Sequence, residues 1–219
     1  PRDNWHKSSG RIYRLKAKGA KPIKPFDLSK LSSHELVETL TGHPNKWFRQ
    51  KALRVLADRD DQSITPLLRV KLEEDSSPRD LEALWALNLL GGFDDDAKLT
   101  ALKSGNVHIR RWAVRLIGDA RSTSPQLAKR LLELAASEAD VEVRSQLAST
   151  AKRLPANVAL PIVRELAQRN DIDDLHIPMM LWWAVESKCD SDPTAILRMF
   201  SEEKLWQVPT VRKLMLDRL

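Results

Sequence analysis

Downstream of Phe26, apolar residues recur three and four positions apart, the period of an amphipathic helix, in short blocks that continue to Leu219. The first block opens with Ser32-Ser33-His34-Glu35, a capping-box pattern with Ser32 as N-cap and Glu35 at the third helical position. Leu31 and Leu36 stand where a hydrophobic staple needs them. Breakers divide the rest: Gly42-His43-Pro44, Asp58 to Asp61, Ser76 to Pro78, Gly91-Gly92, Gly105-Asn106, Ser122 to Pro125, and a similar series from Asp140 to Pro209. The spacing predicts about twelve helices of about 10–15 residues each. Upstream the pattern differs. Gly10 to Leu15 (GRIYRL) reads as a single strand, and a Lys- and Pro-rich tether carries it to Phe26. A lone strand leaves its backbone groups unpaired. Residues 1–25 are therefore expected to stay outside the helical core, the strand being either disordered or part of a domain that this sequence does not include.

The helical blocks repeat. WFRQKALRVLAD, HIRRWAVRLIGD, EVRSQLASTAKR, HIPMMLWWAVES and TVRKLMLDRL each place an apolar residue before one fixed slot. That slot holds Arg49, Arg110, Arg144, Pro178 and Arg212, and a weaker copy places Ala83 there. The step is 34 residues from 49 to 83 and from 110 through 144 and 178 to 212, but only 27 from 83 to 110. Seven residues are close to two helical turns, so the apolar face keeps its phase, and one helix before His108 is expected to be shorter. Equal helix pairs at this period predict an all-α protein, an α-solenoid of about six pairs in which each pair buries its apolar face against its neighbours.

Phe48-Arg49 with Ala52 and Leu56, and Ile109-Arg110 with Ala113 and Gly118, resemble the second helix of HEAT repeats. The resemblance spans residues 32–219 and implies structural arginines at Arg49, Arg110, Arg144 and Arg212, paired with acids near the helix starts. Asp140 fits that role, while His43 and Asn106 stand where other acids are expected. The run GRIYRLKAKGAKPIKPFDLSKLSSHELVETLTGHPNKWFRQKALRVLADR is also similar to a junction in large bacterial multidomain proteins. Those proteins join a sugar-dehydrogenase-like β-propeller, HEAT repeats and a c-type cytochrome domain. The likeness implies that residues 1–31 are the end of a propeller and a linker. It further implies that 32–219 is a non-enzymatic scaffold docking neighbouring domains, and that the parent is exported or periplasmic. No Cys-x-x-Cys-His haem site occurs in this chain, so no cofactor is expected in it.

Charge alters the picture in one respect. The formal net charge is +6, yet residues 1–25 hold eight of the 36 basic and one of the 30 acidic residues. That leaves 28 basic and 29 acidic residues in the helical body, which argues against duplex binding and for no nucleic-acid partner. No apolar run reaches the length of a membrane span. Seven tryptophans and 42% hydrophobic residues indicate a packed core. The single cysteine, Cys189, excludes an intramolecular disulfide. Neither Cys189 with His176 nor the five histidines show catalytic or metal-ligand spacing.

Two further features carry chemistry. Trp182-Trp183 near Glu186 invites comparison with HEAT-like DNA glycosylases of the alkylation-repair type, the opposing reading. One tryptophan of the pair is expected in the core and the other exposed. Adding 20 to the slot positions gives Arg69, Lys103, Arg130, Arg164 and Arg198, all basic. At one phase of the repeat they form a candidate docking stripe on the first helices of successive pairs, facing solvent or an acidic neighbouring domain.

Overall fold

The computed structural model describes residues 10, 13, 15–19, 21, 26–74 and 77–219. Arg11, Ile12 and Arg14, and most of residues 1–25 with them, lie outside it, so the expected strand does too. All regular structure among the described residues is helical. Eleven α-helices are followed by a π-helical segment: α1 (Ser33–Gly42), α2 (Lys46–Arg59), α3 (Thr65–Glu74), α4 (Asp80–Leu89), α5 (Asp95–Ala101), α6 (Val107–Asp119), α7 (Pro125–Ser137), α8 (Val141–Ala151), α9 (Ala156–Ala167), α10 (Ile177–Glu186), α11 (Pro193–Phe200) and Val211–Met215.

The local causes are ordinary helix chemistry. Ser32 Oγ accepts from the Glu35 N–H at 3.2 Å and the Glu35 carboxylate accepts from the Ser32 N–H at 2.7 Å, closing the capping box. Asn45, Asn106 and Asp140 cap α2, α6 and α8 through their side-chain oxygens. The shortest α-helix is α5, with seven residues, where the repeat step contracts. Phe26 stacks on Phe48 at 4.7 Å and Leu28 is buried, so the chain packs on α2 from Phe26 onward. TVRKLMLDRL departs from its pattern: Val211–Met215 bonds in the i→i+5 manner of a π-helix, and Leu216–Arg218 tightens to a 3₁₀ turn.

The helices pack in alternation. α2, α4, α6, α8 and α10 each touch the next in that series, and so do α3, α5, α7, α9 and α11. Short connections join the two series. The slot's flanks form the core between them. Ile109, Val143, Ile177 and Val211, just before the slot, are fully buried. Three positions after it, Ala52, Ala86, Ala113, Leu147, Leu181 and Met215 are buried as well. Burying a leucine or isoleucine side chain contributes about 1.5–3 kcal/mol, so this stripe is the main cohesive term between neighbouring helices. Gly118 marks the closest approach. A Cβ there would sit 2.7 Å from Thr150 Cγ2, and the Thr150 hydroxyl donates to the Val114 carbonyl at 3.1 Å, pinning α8 onto α6.

Candidate functional site: arginine rungs and two faces

Three slot arginines share one arrangement, two turn carbonyls behind and an acid ahead, with a two-bond fork to the acid at Arg110 and Arg144 and a single Nε bond at Arg49. Arg49 Nη1 donates to the carbonyls of His43 (2.9 Å) and Pro44 (3.0 Å), and its Nε donates to the Glu82 carboxylate at 2.6 Å. Arg110 Nη1 donates to Ser104 (2.9 Å) and Gly105 (3.2 Å), while Nε and Nη2 grip Glu138 at 2.9 and 2.8 Å. Arg144 Nη1 donates to Glu138 (3.2 Å) and Ala139 (2.6 Å), and its fork takes Asp171 at 2.7 and 2.6 Å. Each guanidinium thus ties the turn before its own helix to an acid of the following helix pair. The bidentate geometry suits arginine and not lysine.

The acids are not those the sequence pointed to. Asp140 accepts from the N–H groups of Glu142 and Val143 as the cap of α8, and the acid held by Arg144 is Asp171. His43 and Asn106 likewise serve their own turn and helix start. Glu82, Glu138 and Asp171 are all buried. Burial alone raises the Glu138 pKa, but the Arg110 fork and the N–H of Asp140 outweigh it, so the carboxyl sits below its ordinary range. The Asp171 carboxylate holds Arg144 charged, lifting its pKa. Arg212 is exposed in the π-helical segment and makes no such rung among the described residues.

The five basic residues of the candidate stripe fall on the odd-numbered helices and the turn after α5. Three members are engaged internally. Arg69 donates to the Gly92 carbonyl (3.0 Å) and Asp94 (2.5 Å), Arg130 to the Leu102 carbonyl (3.2 Å) and Glu133 (3.4 Å), and Arg164 takes Glu202 at 2.7 and 2.5 Å. Lys103 and Arg198 are exposed. Arg164 and Arg198 line a hollow of about 390 Å³ floored by Leu160 and Met199.

On the even-numbered helices, Trp182 is 8% exposed and Trp183 44%, one in the core and one out, as the pair's spacing predicts. Two features there escaped the sequence reading. Trp85 and Trp112 meet edge to face at 5.1 Å, and the Arg115 guanidinium lies 5.1 Å over the Trp112 ring. Both tryptophans sit two positions after the slot, a regularity that the repeat register contained. Cys189 is exposed on the turn after α10, with its thiol 3.9 Å from the Val185 carbonyl. No helix is long and apolar enough to cross a membrane among the described residues.

The chain matches no protein-family model, no characterised protein and no solved structure.

Proposed function

We propose that residues 32–219 form a HEAT-type α-solenoid that acts as a non-enzymatic scaffold, spacing and docking a dehydrogenase-like propeller and a haem domain of a larger exported protein. The observation that carries this reading is the rung repeated at Arg49, Arg110 and Arg144, with the same two carbonyls behind it and an acid ahead of it each time. Supporting it, side-chain hydrogen bonds between helix pairs reach only 23 to 38 residues along the chain, about one repeat. A stack in which each unit holds only its neighbours has that signature. Such stacks present long faces suited to binding other proteins, and the near-balanced charge of the helical body favours proteins over nucleic acid.

The test is to read the frame around this sequence in its source genome, produce the flanking domains separately, and measure their association with the chain by calorimetry. A propeller before it, a Cys-x-x-Cys-His domain after it and measurable association support the scaffold. Steeply salt-dependent duplex binding with release of alkylated bases, and no domain association, supports the glycosylase reading instead.

A further inference from the structure

The even-numbered helices carry two hollows that meet. The first, about 360 Å³, lies over α6 and α8 and is lined by Arg111, Trp112, Arg115, Ser145, Ser149 and Met180. The second, about 370 Å³, continues over α10 between Leu175, Met179, Met180 and Trp183. Ser145 and Met180 border both, so they form one groove.

Its two ends differ in chemistry. At the α6 end, Arg115 is exposed and its guanidinium lies 5.1 Å over the Trp112 ring. No carboxylate is bonded to Arg115 among the described residues, whereas neighbouring Arg111 already shares Glu142 at 3.3 Å. The Ser145 and Ser149 side chains stand beside it. At the α10 end the lining turns apolar, with Leu175 84% and Trp183 44% exposed. The repeat register builds this gradient: Arg115, Ser149 and Trp183 occupy the same position of successive repeats.

We propose that this groove binds an extended peptide segment of a partner protein, with an acidic side chain on Arg115 and an apolar side chain between Met179, Met180 and Trp183. The inference rests on the scaffold reading and names the chemistry of one docking face. A guanidinium seated on an aromatic ring, with no carboxylate bonded to it among the described residues, beside an apolar hollow complements a ligand with a carboxylate at one end and hydrocarbon at the other. Besides Arg115, Lys152 stands by the groove with its ammonium 5.9 Å over the Trp183 ring, and Glu142 lines the first hollow; two such cations with an acid in the lining are fewer than the run a phosphate backbone needs. Adjacent packed helices lie about 8–10 Å apart. With α8 between them, α6 and α10 lie about 16–20 Å apart, and an extended chain covers about 3.3 Å per residue, so the acid and the apolar residue fall about five or six positions apart.

The experiment uses the whole chain and a displayed library of random linear peptides, followed by fluorescence anisotropy on the enriched sequences. Selection should enrich Asp or Glu about five or six positions from Leu, Ile, Met or Phe. Arg115→Ala should weaken an enriched peptide at least about tenfold and abolish its preference for Asp over Asn. Trp183→Ala should weaken it comparably and abolish the preference for Leu over Ala, leaving the Asp preference in place. Arg115→Glu should transfer the preference to peptides with Lys in place of the acid, a gain that only a folded groove can give. No enrichment, equal binding by all three variants, or a groove that instead takes single-stranded or duplex DNA in an Arg115-dependent way overturns the proposal. Association of flanking domains that survives Arg115→Ala defeats the groove and leaves the scaffold standing. Peptide binding without domain association does the reverse.

Discussion

Arg144 and Arg212 stand two 34-residue steps apart at one position of the repeat, each behind a fully buried valine and each ahead of a buried apolar residue. Their surroundings are opposite. Arg144 donates four hydrogen bonds, two to the carbonyls of Glu138 and Ala139 and two to the Asp171 carboxylate at 2.7 and 2.6 Å, and its side chain is 11% exposed. Arg212 sits on a π-helical turn in solvent. The difference lies in what comes next. Asp171 belongs to the connection between α9 and α10, which packs beside α8, and among the described residues no later helix pair brings an acid to Arg212. The slot is set by the residue's own helix, but the rung is set by its neighbour.

The largest effect expected from breaking this contrast is Arg144→Ala. It strands the Asp171 carboxylate, itself 9% exposed, and two turn carbonyls, and should cost about 3 kcal/mol in chemical denaturation. Arg212→Ala should stay within about 0.5 kcal/mol. Equal costs at the two positions would mean that the rung adds nothing to the slot. Gly118→Ala probes the α6–α8 contact without removing a charged group, though its methyl would also meet the Arg153 guanidinium at 2.8 Å. Its methyl would press on Thr150, which cannot swing away without losing its bond to Val114, so a loss of about 1–2 kcal/mol is expected.

How much of this was readable beforehand differs by level. Helix positions were, because caps such as Ser32 and breakers such as Gly91-Gly92 act locally. The contracted step also located the short helix α5. The rung acids were not readable. Glu82, Glu138 and Asp171 follow their arginines by 33, 28 and 27 residues, offsets that vary with loop path. Asp140, the acid nearest in sequence, is taken by the N–H groups of its own helix, since an N-cap serves local donors first. The basic stripe was readable as a register, yet whether a member is free depends on where the adjacent pair's carbonyls and carboxylates fall. Among the described residues, Arg164 finds Glu202 and Arg198 does not find an equivalent.

pH separates the rungs further. The Glu138 pKa is depressed in the folded chain, so its contribution is complete above the ordinary glutamate value of about 4.3 and is lost as pH falls through the lower folded value. Glu138→Gln should therefore be less stable at neutral pH and show a shallower loss on acidification in melting curves. The smallest effect concerns Lys188, a buried cation whose ammonium donates to the Lys152 carbonyl at 2.8 Å. Burial, aided by Lys152, lowers its pKa, so the folded chain holds this proton less tightly than the unfolded one. That penalty is present below the folded pKa and disappears as pH rises past the ordinary lysine value. Lys188→Met should match or exceed the parent by up to about 1 kcal/mol near neutrality, with the gap closing at high pH.

The central claim is that each helix pair is held by its neighbours alone, and hydrogen exchange on the intact Arg144→Ala chain tests it most directly. A graded result is expected: protection falls most in α7 to α10, less in α5 and α6, and stays close to the parent in α1 to α4. An equal loss of protection from α1 through α11 would contradict it, because that is the response of one indivisible core.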